Sequence, residues 1–363
     1  MKVRILIVGP LPEPTTGVSL ANKIVVDNLT DEGRLHVDSI NTAYSRFEEN
    51  HGSFSVGKVF FFLRLNLLAY KIFKADKIYI TPGQTFFGVL KYSVFILLSW
   101  ILGKEIIIHV HGNHLGKEFL SLKGLKRNIF RSLLNKTTKG IVLSESLRGN
   151  MIPFIESSKI FTLYNFVEEY LFPTRPEINH KAANFVPRIV FLSNLMEGKG
   201  IFDLLEALTI LESNGFKYEA KIAGNIDSKQ EPRIMSYFKN LEHAEYCGVV
   251  KGEDKKELLL WGTIFVLATD YVMEGQPISI LEAMATGNII LTTQHAGIPD
   301  IFKDAKNGFF VEKNNPKSIV EKINKIIVER ELCSQIIVGN YLEAKNKYRV
   351  NDFIHGLEEI LNA

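Results

Sequence analysis

Eight short apolar runs recur along this chain, each followed by sequence with helical character: residues 3–9, 77–81, 105–112, 140–144, 189–195, 218–224, 264–269 and 288–293. Their hydrophobicity is continuous rather than alternating, which marks strands covered on both faces, as in parallel sheets. Helical stretches such as 202–215 and 279–287 fall between them, and Gly215 and Gly287 stand where a left-handed residue ends a helix. The pattern lapses at YLFPTRPEINHKAANFVPR, where three prolines and polar residues mark a linker over 170–187. The expected fold class is therefore α/β, with two doubly wound, Rossmann-like domains over 1–169 and 188–344. Such sheets bind ligands beyond the carboxyl ends of their strands. Two facing domains would be expected to create a cleft, with one substrate in each half.

The length of 363 residues suits two cores better than one. With 46% hydrophobic and 23% charged residues, the chain is no disordered polymer, fibre or disulfide-stapled miniprotein. The two cysteines, Cys247 and Cys333, have no metal spacing and read as free thiols in a reducing compartment. A net charge of +3 gives no global nucleic-acid signal, so no nucleic-acid partner is expected. The opening run MKVRILIVG reads as a first strand rather than a leader, since no small-residue cleavage site follows it.

Membrane contact calls for separate treatment. Residues 59–73 are apolar but contain Arg64, Asn66 and Lys71, and the uncharged stretch 92–102 has only eleven residues. A spanning helix needs about 20 apolar residues, so both read as buried or interfacial helices. Residues 113–139 set Lys117, Lys123, Lys126, Arg127, Arg131, Lys136 and Lys139 against one acid, Glu118, with leucines and phenylalanines interleaved. This pattern fits an amphipathic helix on anionic lipid, and equally the solvated face of a helix covering a sheet.

The segment richest in chemistry is MEGQPISILEAMATGNIILTTQHAGIPDIF, residues 273–302. Pro277 suits the first turn of a helix, which leaves Glu274 in the preceding loop and Glu282 inside the helix. At 1.5 Å rise per residue, Glu282 lies about 7–8 Å along the axis from Pro277. The amides at the helix start favour an anion. A sugar nucleotide has matching parts: Glu282 for the ribose hydroxyls, the helix start for phosphate, and Glu274 for the hexose. Two surface acids are the plainer alternative. In FLSNLMEGKG, Lys199 lies between Gly198 and Gly200 just after a strand, which suits a phosphate or an ordinary exposed lysine. In GPLPEPTTGVSL, Gly17 permits close backbone approach to a ligand, and Thr16 or Ser19 can cap the helix that follows. In HVHGNH, His109 and His111 point the same way from a strand. No nearby carboxylate or cysteine completes a metal site, so hydrogen bonding to a sugar hydroxyl is the alternative.

These motifs together resemble the retaining GT-B glycosyltransferases of family four, whose pattern is Glu, seven residues, Glu. Here it reads Glu274-GQPISIL-Glu282-AMATGNII, followed by GIPDIF. Residues Ser193 to Gly200 stand where the family has Gly-Arg-Leu, three residues, Lys-Gly, and His111–Gly112 matches a strand-end His-Gly. Gly17 matches the glycine of the first loop. The ending KYRVNDFIHGLEEIL is similar to closing helices that in this fold return to the first domain, which implies that a helix over about 345–363 packs there.

The resemblance implies transfer of a hexose or N-acetylhexosamine from a UDP- or GDP-sugar with retention, without cofactor or metal. No Asp-x-Asp triplet occurs, in keeping with that. The donor would sit mainly on the second domain and the acceptor on the first. Lys199 would neutralise the leaving diphosphate, assisted by the amides of Gly275, Gln276, Ile278 and Gly17, Pro277 having none. Glu282 would hold the ribose, Glu274 the donor hexose near the reacting carbon, and His111 the sugar near its C6 end. Asn194 replaces the usual arginine, removing a cationic contact worth about 1.5–3 kcal/mol. The acceptor implied is a lipid-linked saccharide in surface polysaccharide or lipopolysaccharide assembly. The protein would then be cytoplasmic and peripheral on the inner face of the membrane. Two other readings fit the same resemblance: a sugar-nucleotide-binding partner subunit with little turnover, and a sugar-nucleotide epimerase.

Overall fold

The computed structural model describes residues 3–31, 35–44, 61 and 64–363. Residues 59, 60, 62 and 63 of the expected 59–73 helix lie outside them. The chain divides into two compact units, one running to Tyr164 with Phe353–Ala363 added, the other Asn165–Asp352.

The first unit is built on a parallel sheet of β1 (Val3–Gly9), β2 (Leu35–Asn41), β3 (Lys77–Ile80), β4 (Glu105–Val110), β5 (Lys139–Val142) and β6 (Ile160–Thr162). Its order is β2-β1-β3-β4-β5-β6. Ile5–Val8, Ile78–Ile80 and Ile106–Ile108 are fully buried, as strands covered on both faces require. The helix Gly17–Asp31 follows β1 and is capped reciprocally. Ser19 N–H donates to Thr16 Oγ1 at 3.1 Å, and Thr16 N–H to Ser19 Oγ at 2.7 Å. The last helix, Val350–Asn362, ends against strand lysines. Lys139 Nζ donates to the Ile360 carbonyl at 2.9 Å and Lys77 Nζ to that of Leu361. Both ammonium groups also bind Glu105, at 2.6 and 2.7 Å. Cations thus sit on the carbonyl end of this helix, where its dipole favours them.

The basic stretch 113–139 is two helices, Leu115–Ser121 and Gly124–Leu134, parted at Leu122–Lys123. They present Phe119, Phe130, Leu133 and Leu134 to the core and leave Lys117, Lys123, Lys126, Arg127 and Arg131 exposed. Among the described residues no helix is long and apolar enough to cross a membrane.

The second unit carries β7 (Arg188–Leu192), β8 (Glu219–Ala223), β9 (Ala244–Tyr246), β10 (Ile264–Leu267), β11 (Ile289–Thr292) and β12 (Gly308–Phe310). They are parallel, in the order β12-β11-β10-β7-β8-β9. The order reverses between β7 and β10, and this topological switch point opens a crevice at the carboxyl end of the sheet.

The stretch expected as a linker, 170–187, instead contains a helix, Arg175–Ala183. Pro176 stands in its first turn, where a missing N–H is tolerated, so the proline starts the helix rather than breaking it. Glu177 closes the cap by accepting from Thr174 N–H at 2.7 Å. Ile178 is buried, and Lys181 donates to the carbonyls of Thr286 and Leu259 at 2.8 and 3.1 Å. Gly287, with φ +68°, ends the helix Ile278–Ala285, and a Cβ there would lie 2.9 Å from Ile178 Cδ1.

Candidate active site

The loops after β7 and β10 meet at the switch point. Asp270 N–H donates to the Gly198 carbonyl at 2.8 Å. Gly200 holds φ +77°, and a Cβ on it would lie 2.4 Å from the Ala268 carbonyl oxygen. Only glycine lets the two backbones approach so closely. Between them, Lys199 Nζ reaches Glu274 Oε2 at 2.7 Å, with the Thr269 hydroxyl 2.9 Å from the same oxygen. The ammonium also lies 4.8 Å from the centre of the Tyr271 ring. Burial, helped by Glu274, raises the Tyr271 phenol above its ordinary range.

Glu274 and Glu282 are 7% and 5% exposed, so neither is a surface acid. A buried carboxylate needs a cation or several donors. Glu282 finds one that sequence reading missed: Lys255, on the helix Gly252–Trp261, with Nζ 2.6 Å from Oε1. Glu168 approaches the same ammonium at 3.4 Å, and the Tyr170 ring centre lies 5.6 Å away. Burial alone would pull Lys255 down, but Glu282, Tyr170 and Glu168 outweigh it and hold the ammonium above the ordinary lysine range. An acid on the apolar helix face ILEAMA signals that some cation must be near, but not which one.

The loop between the two acids is tightly held. Gln276 is 3% exposed. Its side-chain oxygen accepts from Asn165 N–H at 2.6 Å, and its carbonyl from Asn165 Nδ2 at 2.8 Å. The Gly275 carbonyl accepts from Gly297 N–H at 2.9 Å. Pro277 is the residue before the helix, not in its first turn as expected, and Ile278 is the first helical residue. Its fixed φ of −64° with ψ of +119° places it just outside helical geometry. Asn194 is exposed on the loop after β7.

Two expected residues belong to the first unit. Gly17 is exposed at the start of its helix, with Thr16 and Ser19 committed to the cap. His111 lies just past β4, its ring centre 4.0 Å from that of His109. Tyr79 Oη and His109 Nδ1 are 2.5 Å apart, while Nε2 of both histidines is buried with no partner among the described residues. Burial pushes His111 down to about 3 and His109 well below its usual value, so both rings are neutral near pH 7. Among the described residues no three His, Cys, Asp or Glu side chains gather as a metal site.

Comparison with known proteins agrees with this architecture. Residues 177–341 match the family described as glycosyl transferases group 1. The putative colanic acid biosynthesis glycosyltransferase WcaL of Salmonella typhimurium is 28% identical over 148 residues, covering 39% of this chain and 36% of that protein. The N,N'-diacetylbacillosaminyl-diphospho-undecaprenol alpha-1,3-N-acetylgalactosaminyltransferase of Campylobacter jejuni is 28% identical over 216 residues, 59% of this chain and 54% of that one. The chain thus spans about a third to a half of these relatives' lengths. HepE of Anabaena, solved in complex with UDP-glucose, superimposes with a TM-score of 0.72 at 15% identity over 99% of each chain. Within the second unit the chain is thus similar to the group 1 glycosyltransferases, and its two-sheet architecture is the GT-B fold.

Proposed function

We propose that the protein transfers a hexose or N-acetylhexosamine, with retention and without metal, from a UDP- or GDP-sugar to a lipid-linked saccharide. The setting is surface polysaccharide assembly at the cytoplasmic face of a membrane. The observation that carries the reading is the Lys199–Glu274 pair at the switch point, where two glycine-bearing loops converge. The names of the relatives, one in colanic acid biosynthesis and one acting on a diphospho-undecaprenol saccharide, support the setting.

The difficult step is departure of the nucleoside diphosphate, which leaves oxocarbenium character on the sugar. Lys199 has one donor on Glu274 and two further N–H groups to offer the developing phosphate charge. The amides of Gly275 and Ile278, on a loop fixed through Gln276 and Asn165, add preorganised donors. Glu274 lies within hydrogen-bond distance of both Lys199 and Thr269, which lowers the nucleophilicity of its carboxylate. This favours same-face attack guided by the leaving phosphate, with Glu274 holding hexose hydroxyls, over a covalent glycosyl-enzyme. Glu282 accepts from the ribose hydroxyls beside Lys255, and neutral His111 hydrogen-bonds the hexose near C6.

The test is nucleoside diphosphate release from a panel of UDP- and GDP-sugars, with and without lipid-linked acceptors. Wild type should turn over at least one donor. Lys199→Ala should be slower by about 10²–10³-fold, the usual range for losing a transition-state charge partner. Binding without release from any donor and acceptor would favour the partner-subunit reading, and conversion of the donor without acceptor or release would favour an epimerase.

A further inference from the structure

The first unit carries a surface that the donor site does not use. From Arg64 to Lys139 the chain has thirteen Lys and Arg against three Asp and Glu, an excess of ten in a protein whose net charge is +3. The three acids are engaged: Asp76 accepts from Arg4 N–H, Glu105 binds Lys77 and Lys139, and Glu118 accepts from Phe86 N–H and faces His114. The helix Ser93–Ile101 (SVFILLSWI) is apolar all round. Its inner side, Phe95, Ile96 and Ser99, is buried, yet Trp100 and Ile101 on its outer side are 56% and 69% exposed. A helix apolar on every face is ordinarily enclosed.

Its neighbours extend the pattern. It packs against the short 3-10 helix Leu68–Lys74 and the helix Gly124–Leu134, which in turn packs against the helix Phe86–Leu90. These elements, with the neighbouring helix Leu115–Ser121, leave Phe73, Phe87, Leu120 and Leu125 62–75% exposed. Basic groups edge the apolar ones: Lys136 Nζ lies 4.6 Å from the Trp100 ring centre, and Lys126 Nζ 5.9 Å from that of Phe87. Exposed aromatic and aliphatic side chains rimmed by lysine and arginine match an anionic bilayer surface: apolar groups enter the acyl boundary while long cationic stems reach the headgroups.

We infer that this face, centred on Trp100 and Ile101 and edged by Lys126, Arg127, Arg131 and Lys136, docks on the surface of an anionic lipid bilayer. The interface expected at 113–139 supplies the basic edge with Leu120 and Leu125, and the rest of the apolar part comes from the helix 93–101 and its other neighbours. This inference stands apart from the donor site, since vesicle binding is read without turnover.

The chain has two tryptophans, Trp100 and Trp261, so a Trp261→Phe variant reports Trp100 alone. With vesicles of phosphatidylglycerol and phosphatidylcholine, its emission should shift to the blue and be quenched by brominated acyl chains. Pure phosphatidylcholine should give little of either. Wild type should sediment with the anionic vesicles. Changing Lys126, Arg127 and Arg131 together to Gln should weaken partitioning on the order of 100-fold. Ile101→Ser with Phe87→Ser should weaken it as well, with unchanged far-UV dichroism. Unaltered Trp100 emission at saturating anionic vesicle, equal sedimentation of the charge variant, or burial of Trp100 by self-association without lipid would each overturn the inference.

Discussion

Two buried lysine–glutamate pairs serve the second unit, and they differ in charge. At Lys199 one ammonium meets one carboxylate, 2.7 Å apart. At Lys255 one ammonium meets two, Glu282 at 2.6 Å and Glu168 at 3.4 Å. The first cluster is neutral, on loops at the end of the sheet, and its lysine can still receive an anion. The second carries an acid in excess and repels phosphate, but its carboxylates suit hydroxyl donors. Under the proposed function, the same two residue types would divide a sugar nucleotide between them, diphosphate at Lys199 and ribose at Glu282. Counting the charges that converge on each lysine distinguishes the sites more sharply than the Glu-x7-Glu spacing does.

The largest expected effect that can break this comparison is the 10²–10³-fold loss of turnover in Lys199→Ala. Lys255→Met should show itself in folding instead. It leaves Glu282 and Glu168 without their shared cation, which should destabilise the second unit by about 3–5 kcal/mol, read from urea denaturation. A Lys255 variant of normal stability but poor diphosphate binding would reverse the assignments. Glu282→Gln should weaken nucleoside diphosphate binding by about tenfold, roughly one charge-assisted hydrogen bond, while leaving donor turnover at saturation within a few-fold.

The smallest effect is on pH dependence. Lys255 titrates above the ordinary lysine value when folded, so its contribution is complete below the unfolded value near 10.5 and declines only as pH rises past it toward the folded value. The stability gap between wild type and Lys255→Met should therefore stay flat from pH 7 to 10. A gap that closed by pH 9 would mean that the ammonium is not held by the two acids.

What the sequence reveals of this protein follows burial. All eight apolar runs are strands, and they are the interior strands of the two sheets. Among the described residues, the four strands that escape notice, β2, β6, β9 and β12, are the four sheet edges. An edge strand is paired on one side only and is short or half-exposed: β2 reads LHVDSIN, with single polar residues breaking the run. The same logic explains the misread linker, whose prolines look like punctuation until Ile178 is seen to be buried and Lys181 to bond the Thr286 carbonyl. At the site, the motif residues on one sequence segment were legible. Lys255, and Asn165 holding Gln276, lie 27 and 111 residues from their partners and carry no local signature.

The most direct measurement is calorimetric titration of wild type and Lys199→Ala with UDP and GDP, each set against its nucleoside. If Lys199 grips the diphosphate, the variant should lose about 10–100-fold in affinity for the preferred diphosphate and bind the nucleoside as wild type does, a loss in line with one charged hydrogen-bond partner. Equal diphosphate affinity in the two proteins would contradict the account.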